Sequence, residues 1–348
     1  MGKSRGDQSE AAEAPAGGEP CGTAAPSAFV IFGASGDLTR RKLVPALWRL
    51  HARGKLPERL AIVGFARTAK SDEAFRQEMR AGCQAVDAEG FDAARWPDFA
   101  GRLSYVTGSY DSAEDFRRLD ETLRRFQAGA AAAACRVYYL ATPASAYAAI
   151  IENAGRLPAA GGERRIVLEK PFGRDLAEAR RLNQLLAAHF DERRTFRIDH
   201  YLGKETVQNI LILRFTNAIF EPLWNRQHIA RVEIAACETL GVEGRGGFYE
   251  QSGALRDMVQ MHLLQLLALV ALEQPASFAA EDIRDEKAKV LRALRPIAAE
   301  EVRREALRGQ YGPGRAGGRE VPGYRQEPGV APDSRVETYV AMRARIDN

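Results

Sequence analysis

Ala28-Phe29-Val30-Ile31-Phe32-Gly33-Ala34-Ser35-Gly36-Asp37-Leu38 sets an apolar run directly against a turn that holds two glycines. The run predicts a buried strand. Thr39 to His51 predicts a helix with Leu43, Ala46, Leu47 and Leu50 on one face. In this context the N–H groups of a helix start can cradle a pyrophosphate, and glycine lets the backbone approach it closely. Only Gly33 and Gly36 are present, not GxGxxG, and many such turns carry glycines for geometry alone. Working outward, Leu60 to Ala66 predicts a second strand, which runs into Arg67, Thr68 and Lys70 before its first acid, Asp72. An acid at this strand end suits a ribose 2′-hydroxyl, whereas an arginine suits a 2′-phosphate. The residues therefore favour NADP over NAD, although a solvated surface arginine reads the same way.

The alternation continues. Leu103 to Val106, Val137 to Ala141 and Arg165 to Leu168 predict strands. Ser71 to Val86 and Ala113 to Phe126 predict amphipathic helices. Gly129 to Ala134 reads as a low-complexity loop. Thr142-Pro143 ends the strand at Ala141, and Tyr147 falls on the helix beyond, where an aromatic is usually core. Glu169-Lys170-Pro171-Phe172-Gly173 follows the next strand, so Lys170 is aimed at the crevice where open α/β sheets bind ligands. Asp175 reads as an N-cap paired with Glu178, and Leu182, Leu185 and Leu186 form the buried face of that helix.

A second concentration of chemistry is Arg197-Ile198-Asp199-His200-Tyr201-Leu202-Gly203-Lys204-Glu205. Lys204 offers a point charge, and His200 and Tyr201 offer directional hydrogen bonds, so the three can hold an oxyanion. Asp199 is left to orient another group. A salt-bridged turn would use the same residues. Past a helix at Val207 to Phe215, the alternation of Val232 to Cys237 predicts a half-buried strand ending at Glu238. Gly253 to Leu272 predicts a strong helix carrying Asp257 and His262. A lone histidine in an apolar stretch is usually core, but histidine is also the natural base near neutrality. A base needs an orienting acid. Asp257 lies five residues away, roughly 140° around an α-helix, which leaves Asp199 as the better candidate. Val290 to Glu305 predicts a polar helical region, and Gly309 to Ser334 a long exposed loop. Val336 to Ile346 alternates with period two and predicts a long half-buried strand.

Composition sets outer limits. The 348 residues suit roughly two domains, and a net charge of +4 accommodates an anionic ligand without arguing for nucleic acid. Cys21, Cys83, Cys135 and Cys237 are scattered, with no CxxC and no metal-ligand cluster, so no metal is expected and a reducing cytoplasm is. Residues 1–26 read as a disordered tail without a signal-peptide core. Met258 to Leu272, the most apolar run, is too short to suggest a span.

RIDHYLGKE, together with GASGDL and the Arg40-Arg41-Lys42 that follow it, EKP at Glu169 to Pro171, and LRDMVQMHLLQ from Leu255, resembles the glucose-6-phosphate dehydrogenase family from about Phe29 to the last residue. EKP by itself recurs in other sugar oxidoreductases. The resemblance implies oxidation of glucose 6-phosphate at C1 to 6-phosphogluconolactone with NADP, in the oxidative branch of the pentose phosphate pathway. It implies a Rossmann-like α/β domain over 27–204. Over 205–348 it implies an incomplete α+β domain with a mainly antiparallel sheet, for substrate binding and oligomerisation. It marks His262 as the base, Asp199 as its partner and Lys170 as a catalytic residue touching sugar and coenzyme. His200, Tyr201, Lys204, Glu238, Asp257 and Lys42 become substrate ligands. Gly33, Ala34, Ser35, Gly36, Asp37, Leu38, Lys42, Arg67, Pro143, Tyr147, Glu169 and Lys170 become coenzyme ligands. Partners are then glucose 6-phosphate and further copies of the chain, with neither nucleic acid nor membrane. Family members continue past residue 348. The expectation is therefore NADP binding with poor or no turnover, an incomplete subunit interface, and a strand edge that associates non-specifically. Two alternatives are a non-catalytic NADP-binding remnant and a different EKP-containing sugar oxidoreductase.

Overall fold

The computed structural model describes residues 28–127, 135–158 and 162–347. The expected N-terminal tail and the Gly129 to Ala134 loop lie outside the described residues. The chain divides into two compact units, and the division falls between Gly203 and Lys204.

The first unit alternates strand and helix in chain order. These are β1 (Ala28–Phe32), α1 (Val44–Ala52), β2 (Ala61–Ala66), α2 (Asp72–Val86), α3 (Trp96–Ala100), β3 (Leu103–Thr107), α4 (Ala113–Gln127), β4 (Arg136–Leu140), α5 (Tyr147–Arg156), β5 (Arg164–Leu168), α6 (Leu176–His189) and β6 (Thr195–Arg197). The six strands pair in parallel in the order β3-β2-β1-β4-β5-β6. This order is that of two mononucleotide-binding halves meeting between β1 and β4. Side chains of a strand alternate between faces, and both faces here are covered. Val30, Phe32, Val63, Phe65, Tyr138 and Leu140 pack on one face with α4, α5 and α6. Ile31, Ile62, Ala66 and Leu103 pack on the other with α1, α2 and α3. A fully buried Arg136 donates to Asp120 at 2.6 Å beneath this sheet. Ser71 caps α2 through Ala74 N–H, and Asp175 caps α6 through Glu178 N–H. The face of α1 differs from expectation. Val44, Pro45, Leu47 and Trp48 are buried, whereas Ala46 and Leu50 are exposed. The cause is a π-helical turn over Thr39–Leu43, in which Val44 N–H reaches Thr39 O and rotates everything after it.

The second unit is mostly helical: α7 (Glu205–Phe215), α8 (Gly246–Ala254), α9 (Leu264–Ala271), α10 (Ala280–Ala293) and α11 (Val302–Glu305). Its strands are β7 (Ala306–Gly309), β8 (Gly314–Ala316), β9 (Arg319–Val321) and β10 (Tyr339–Met342). They form two antiparallel pairs, β7 with β10 and β8 with β9. The α/β plus antiparallel α+β class is therefore as expected, but four details are not. Val232 to Cys237 is no strand; Val232 and Glu233 are exposed, and no described strand pairs with the segment. The terminal strand is four residues long, because ladder partners exist only opposite β7; beyond it only a single bridge, Leu294 to Ile346, forms. Gly309 to Ser334 is not a featureless loop. It holds the β8–β9 hairpin and a short 3-10 turn that buries Tyr324 completely. The polar helix begins at Ala280 rather than Val290 and stops before Pro296, where proline removes a donor.

The helical run Glu243–Ala271 is long and apolar enough to cross a bilayer by length and composition alone, which the fifteen-residue reading missed. Gly253 breaks it with φ 65° and ψ 170°. A Cβ there would meet Glu337 Oε1 at 2.6 Å, so glycine is required both for the conformation and for the space. Ala254 N–H donates to Glu337 O and Leu255 N–H to Glu337 Oε1, which ties the run into its own unit.

Candidate functional site

In the first unit the residues that follow the carboxyl ends of β1, β2, β4 and β5 are the coenzyme residues expected from sequence. Gly33 has φ 84°, and a Cβ on it would lie 2.3 Å from Ala141 O. Any side chain would fill the cradle between β1 and β4. Gly33 N–H donates to Phe65 O at 2.9 Å, Gly36 N–H to Gly33 O at 2.9 Å, and Thr39 Oγ1 to Gly33 O at 3.3 Å. These bonds hold Ala34, Ser35 and Leu38 in a closed turn. The helix behind the turn starts without a side-chain cap, so its first N–H groups remain for an anion. Asp37 bonds Arg40 at 2.8 Å and Arg41 at 3.3 Å. The Arg40 hydrogen bond holds its carboxyl below the usual range. Lys42 is exposed at the end of the π-helical turn.

At the end of β2, Arg67 is exposed with its guanidinium 5.9 Å from the Tyr110 ring. Thr68 Oγ1 reaches Ser35 Oγ at 3.5 Å. Asp72, the first acid, is turned away: its Oδ1 accepts Tyr105 N–H at 2.7 Å. Lys70, counted with Arg67 in the sequence argument, is engaged by Glu78. The cation presented at this strand end is thus Arg67.

At β4 and β5, Pro143 is exposed and Lys170 half-buried, with a cis Lys170–Pro171 bond. Tyr147 is wholly buried in the core, and its hydroxyl donates to Glu169 O at 2.8 Å. That bond ties the end of β5 to the core from below. Tyr139 was not singled out by sequence, yet its hydroxyl donates to Glu169 Oε1. Only its place one register from the end of β4 could have signalled this.

After β6, Ile198 N–H bonds Leu168 O, which carries the sheet's pairing into the signature stretch. Asp199 Oδ1 accepts Tyr201 N–H at 3.0 Å and fixes the turn on which His200 and Tyr201 sit, their rings 5.1 Å apart. His200 is exposed and Tyr201 half-buried.

In the second unit Lys204 is exposed at the start of α7, where its carbonyl accepts Val207 and Gln208 N–H. His262 is completely buried. It lies on a π-helical segment, Leu255–Leu263, in which Leu264 N–H reaches Val259 O. The wider i to i+5 winding turns residue 262 back toward the direction of residue 257 more than an α-helix would. The α-helical estimate that set Asp257 far around the helix from His262 therefore does not hold. Tyr249, also missed by sequence, has its phenol pushed up to about 12 by burial and by the charges of Asp257, Glu337 and Glu238. Those carboxylates thus share one neighbourhood with it, and Glu238 itself is exposed. Arg214 donates to Leu269 O at 2.8 Å and Leu272 O at 2.7 Å, fixing the far end of the His262-bearing helix.

Comparison with known proteins adds the lineage. Residues 30–209 match the family model "Glucose-6-phosphate dehydrogenase, NAD binding domain", and residues 211–348 match "Glucose-6-phosphate dehydrogenase, C-terminal domain". The glucose-6-phosphate 1-dehydrogenases of Treponema pallidum and Chlamydia pneumoniae are 46% and 44% identical over 94% of this chain. The chain spans 64% of the length of each. A solved glucose-6-phosphate dehydrogenase in complex with its substrate glucose-6-phosphate is 37% identical with a TM-score of 0.85, over 94% of this chain and 66% of that one. The Mycobacterium avium enzyme is 40% identical with a TM-score of 0.79, over 93% and 66%.

Proposed function

Because this chain belongs to the glucose-6-phosphate dehydrogenase family, we propose that it binds NADP on its first unit and oxidises glucose 6-phosphate at C1. The observation that carries the coenzyme half is the Gly33 cradle, opening onto an uncapped helix start at the β1–β4 switch point. The residues present fit the group. The turn from Gly33 to Leu38 takes the pyrophosphate, and Arg67 takes the 2′-phosphate, since no acid competes before Asp72. When bound, the nicotinamide supplies the hydride acceptor. His262 receives the proton of the C1 hydroxyl on a neutral imidazole nitrogen. Lys170 orients the reacting sugar, while His200, Tyr201 and Lys204 hold the 6-phosphate by charge and directed hydrogen bonds. Glu238 and Asp257 accept from sugar hydroxyls, as ionised carboxylates can only accept. Assembly with further copies and a cytoplasmic location complete the proposal.

The test is NADP binding by the purified chain, followed by NADPH formation from glucose 6-phosphate, with size recorded by light scattering. NADP binding with NADPH formation supports both halves of the proposal, against the poor turnover anticipated from sequence. A folded chain that binds no NADP overturns it, and binding without turnover removes the catalytic half.

A further inference from the structure

We propose that Tyr139 is a positioning residue: its hydroxyl sets the Glu169 carboxylate so that Oε2 receives an amide N–H of the nicotinamide carboxamide. The inference rests on the coenzyme reading above. Glu169 is gripped from both faces of the sheet. Tyr139, on the face shared with Phe29 at a ring distance of 5.8 Å, donates to its carboxylate. Tyr147, in the core on the opposite face, donates to its backbone carbonyl at 2.8 Å. Backbone and side chain are therefore both fixed. A phenol donating to a carboxylate makes a charge-assisted bond, stronger than one between neutral groups. Glu169 Oε1 is thereby spent. Oε2 takes no hydrogen bond among the described residues, and Glu169 is only half-buried.

The ligand chemistry follows from topology. In a 3-2-1-4-5-6 sheet a dinucleotide lies across the switch point, one nucleotide on each half. Arg67 at the end of β2 claims the adenosine half, so the ends of β4 and β5 face the other nucleotide. A carboxylate only accepts, so the group that meets Oε2 must be a donor. The carboxamide of the nicotinamide offers one.

Tyr139→Phe removes the phenol oxygen and keeps the ring. Affinities of the full chain and of this variant are measured by calorimetry for three probes: NADP, 2′-phospho-ADP-ribose, and the 3-acetylpyridine analogue of NADP, which lacks the amide N–H. The expected result is a roughly 3–10-fold loss for NADP, the size of one hydrogen bond, with the other two probes unchanged. In a Glu169→Gln background, Tyr139→Phe should cost nothing further for NADP. Equal loss for all three probes makes Tyr139 merely structural and overturns the inference. So does no loss for NADP. A wild-type chain that binds none of the probes overturns the coenzyme reading itself, and this inference with it.

Discussion

The two units differ in where their order comes from. In the first, a six-stranded parallel sheet is covered on both faces, and most of the buried apolar side chains among the described residues belong to it. In the second, fewer apolar side chains are buried, Val259, Ala268, Leu269 and Leu272 among them, and the strands are two short ribbons. Ile219, Phe220, Leu223 and Val232 are exposed there. Polar links stand in for apolar burial: Tyr324 OH and Ser334 Oγ both donate to Glu250 at 2.6 Å, and Glu305 gathers Arg304, Arg343 and Arg345. A hydroxyl donating to a carboxylate, as at Glu250, contributes about 1.5–3 kcal/mol, no more than one large buried apolar side chain, and the first unit buries many such side chains. The first unit is thus built to hold a rigid coenzyme surface. The second presents chemical groups on a frame held largely by polar contacts.

This contrast assigns separate labour to the units, and four experiments strain it. The largest effect is expected from His262→Asn. Loss of a general base should lower kcat by about 10²–10⁴-fold with little change in KM, while NADP affinity, a property of the first unit, stays constant. Lost NADP affinity would erase the division, and an unchanged kcat would return His262 to the core. Next, amide exchange followed by mass spectrometry should find β1 and β2 slower than the β8–β9 hairpin by roughly a thousandfold, the spread between near-global and local opening. Uniform protection would show that the second unit is as cooperative as the first. A smaller effect belongs to Lys204→Ala. Removing a charge-assisted phosphate contact should weaken glucose 6-phosphate binding by about 1.5–3 kcal/mol and leave NADP untouched; calorimetric losses for both ligands would contradict the assigned grip. The smallest is a change of preference. Arg67→Ala should cut NADP affinity by about tenfold and NAD affinity scarcely at all. Parallel losses would make Arg67 a structural partner of Tyr110.

What was legible in the chain follows the same line. The first five strands of the first unit stand within a residue or two of their expected places, because an apolar run is a local signal, whereas the three-residue β6 was not expected at all. Asp175 was readable as a cap for the same reason: it acts on an N–H three residues away. In the second unit the alternation of Val232 to Cys237 was equally local, yet a strand exists only if another strand pairs with it.

The sequence by itself determined the alternation of strand and helix in the first unit, the glycine turn, the arginine at the β2 end and the chemical content of residues 197–205. Each depends on neighbours a few positions apart. Tertiary structure alone decided that β10 finds β7, that Tyr324 is buried, and that Tyr139 and Tyr147 close on Glu169 from opposite faces. It also decided that the segment bearing Asp257 and His262 winds as a π-helix. Those outcomes join residues 5 to more than 30 positions apart. A pairing at that distance depends on which groups the folded chain brings within hydrogen-bonding reach, and no periodicity records it.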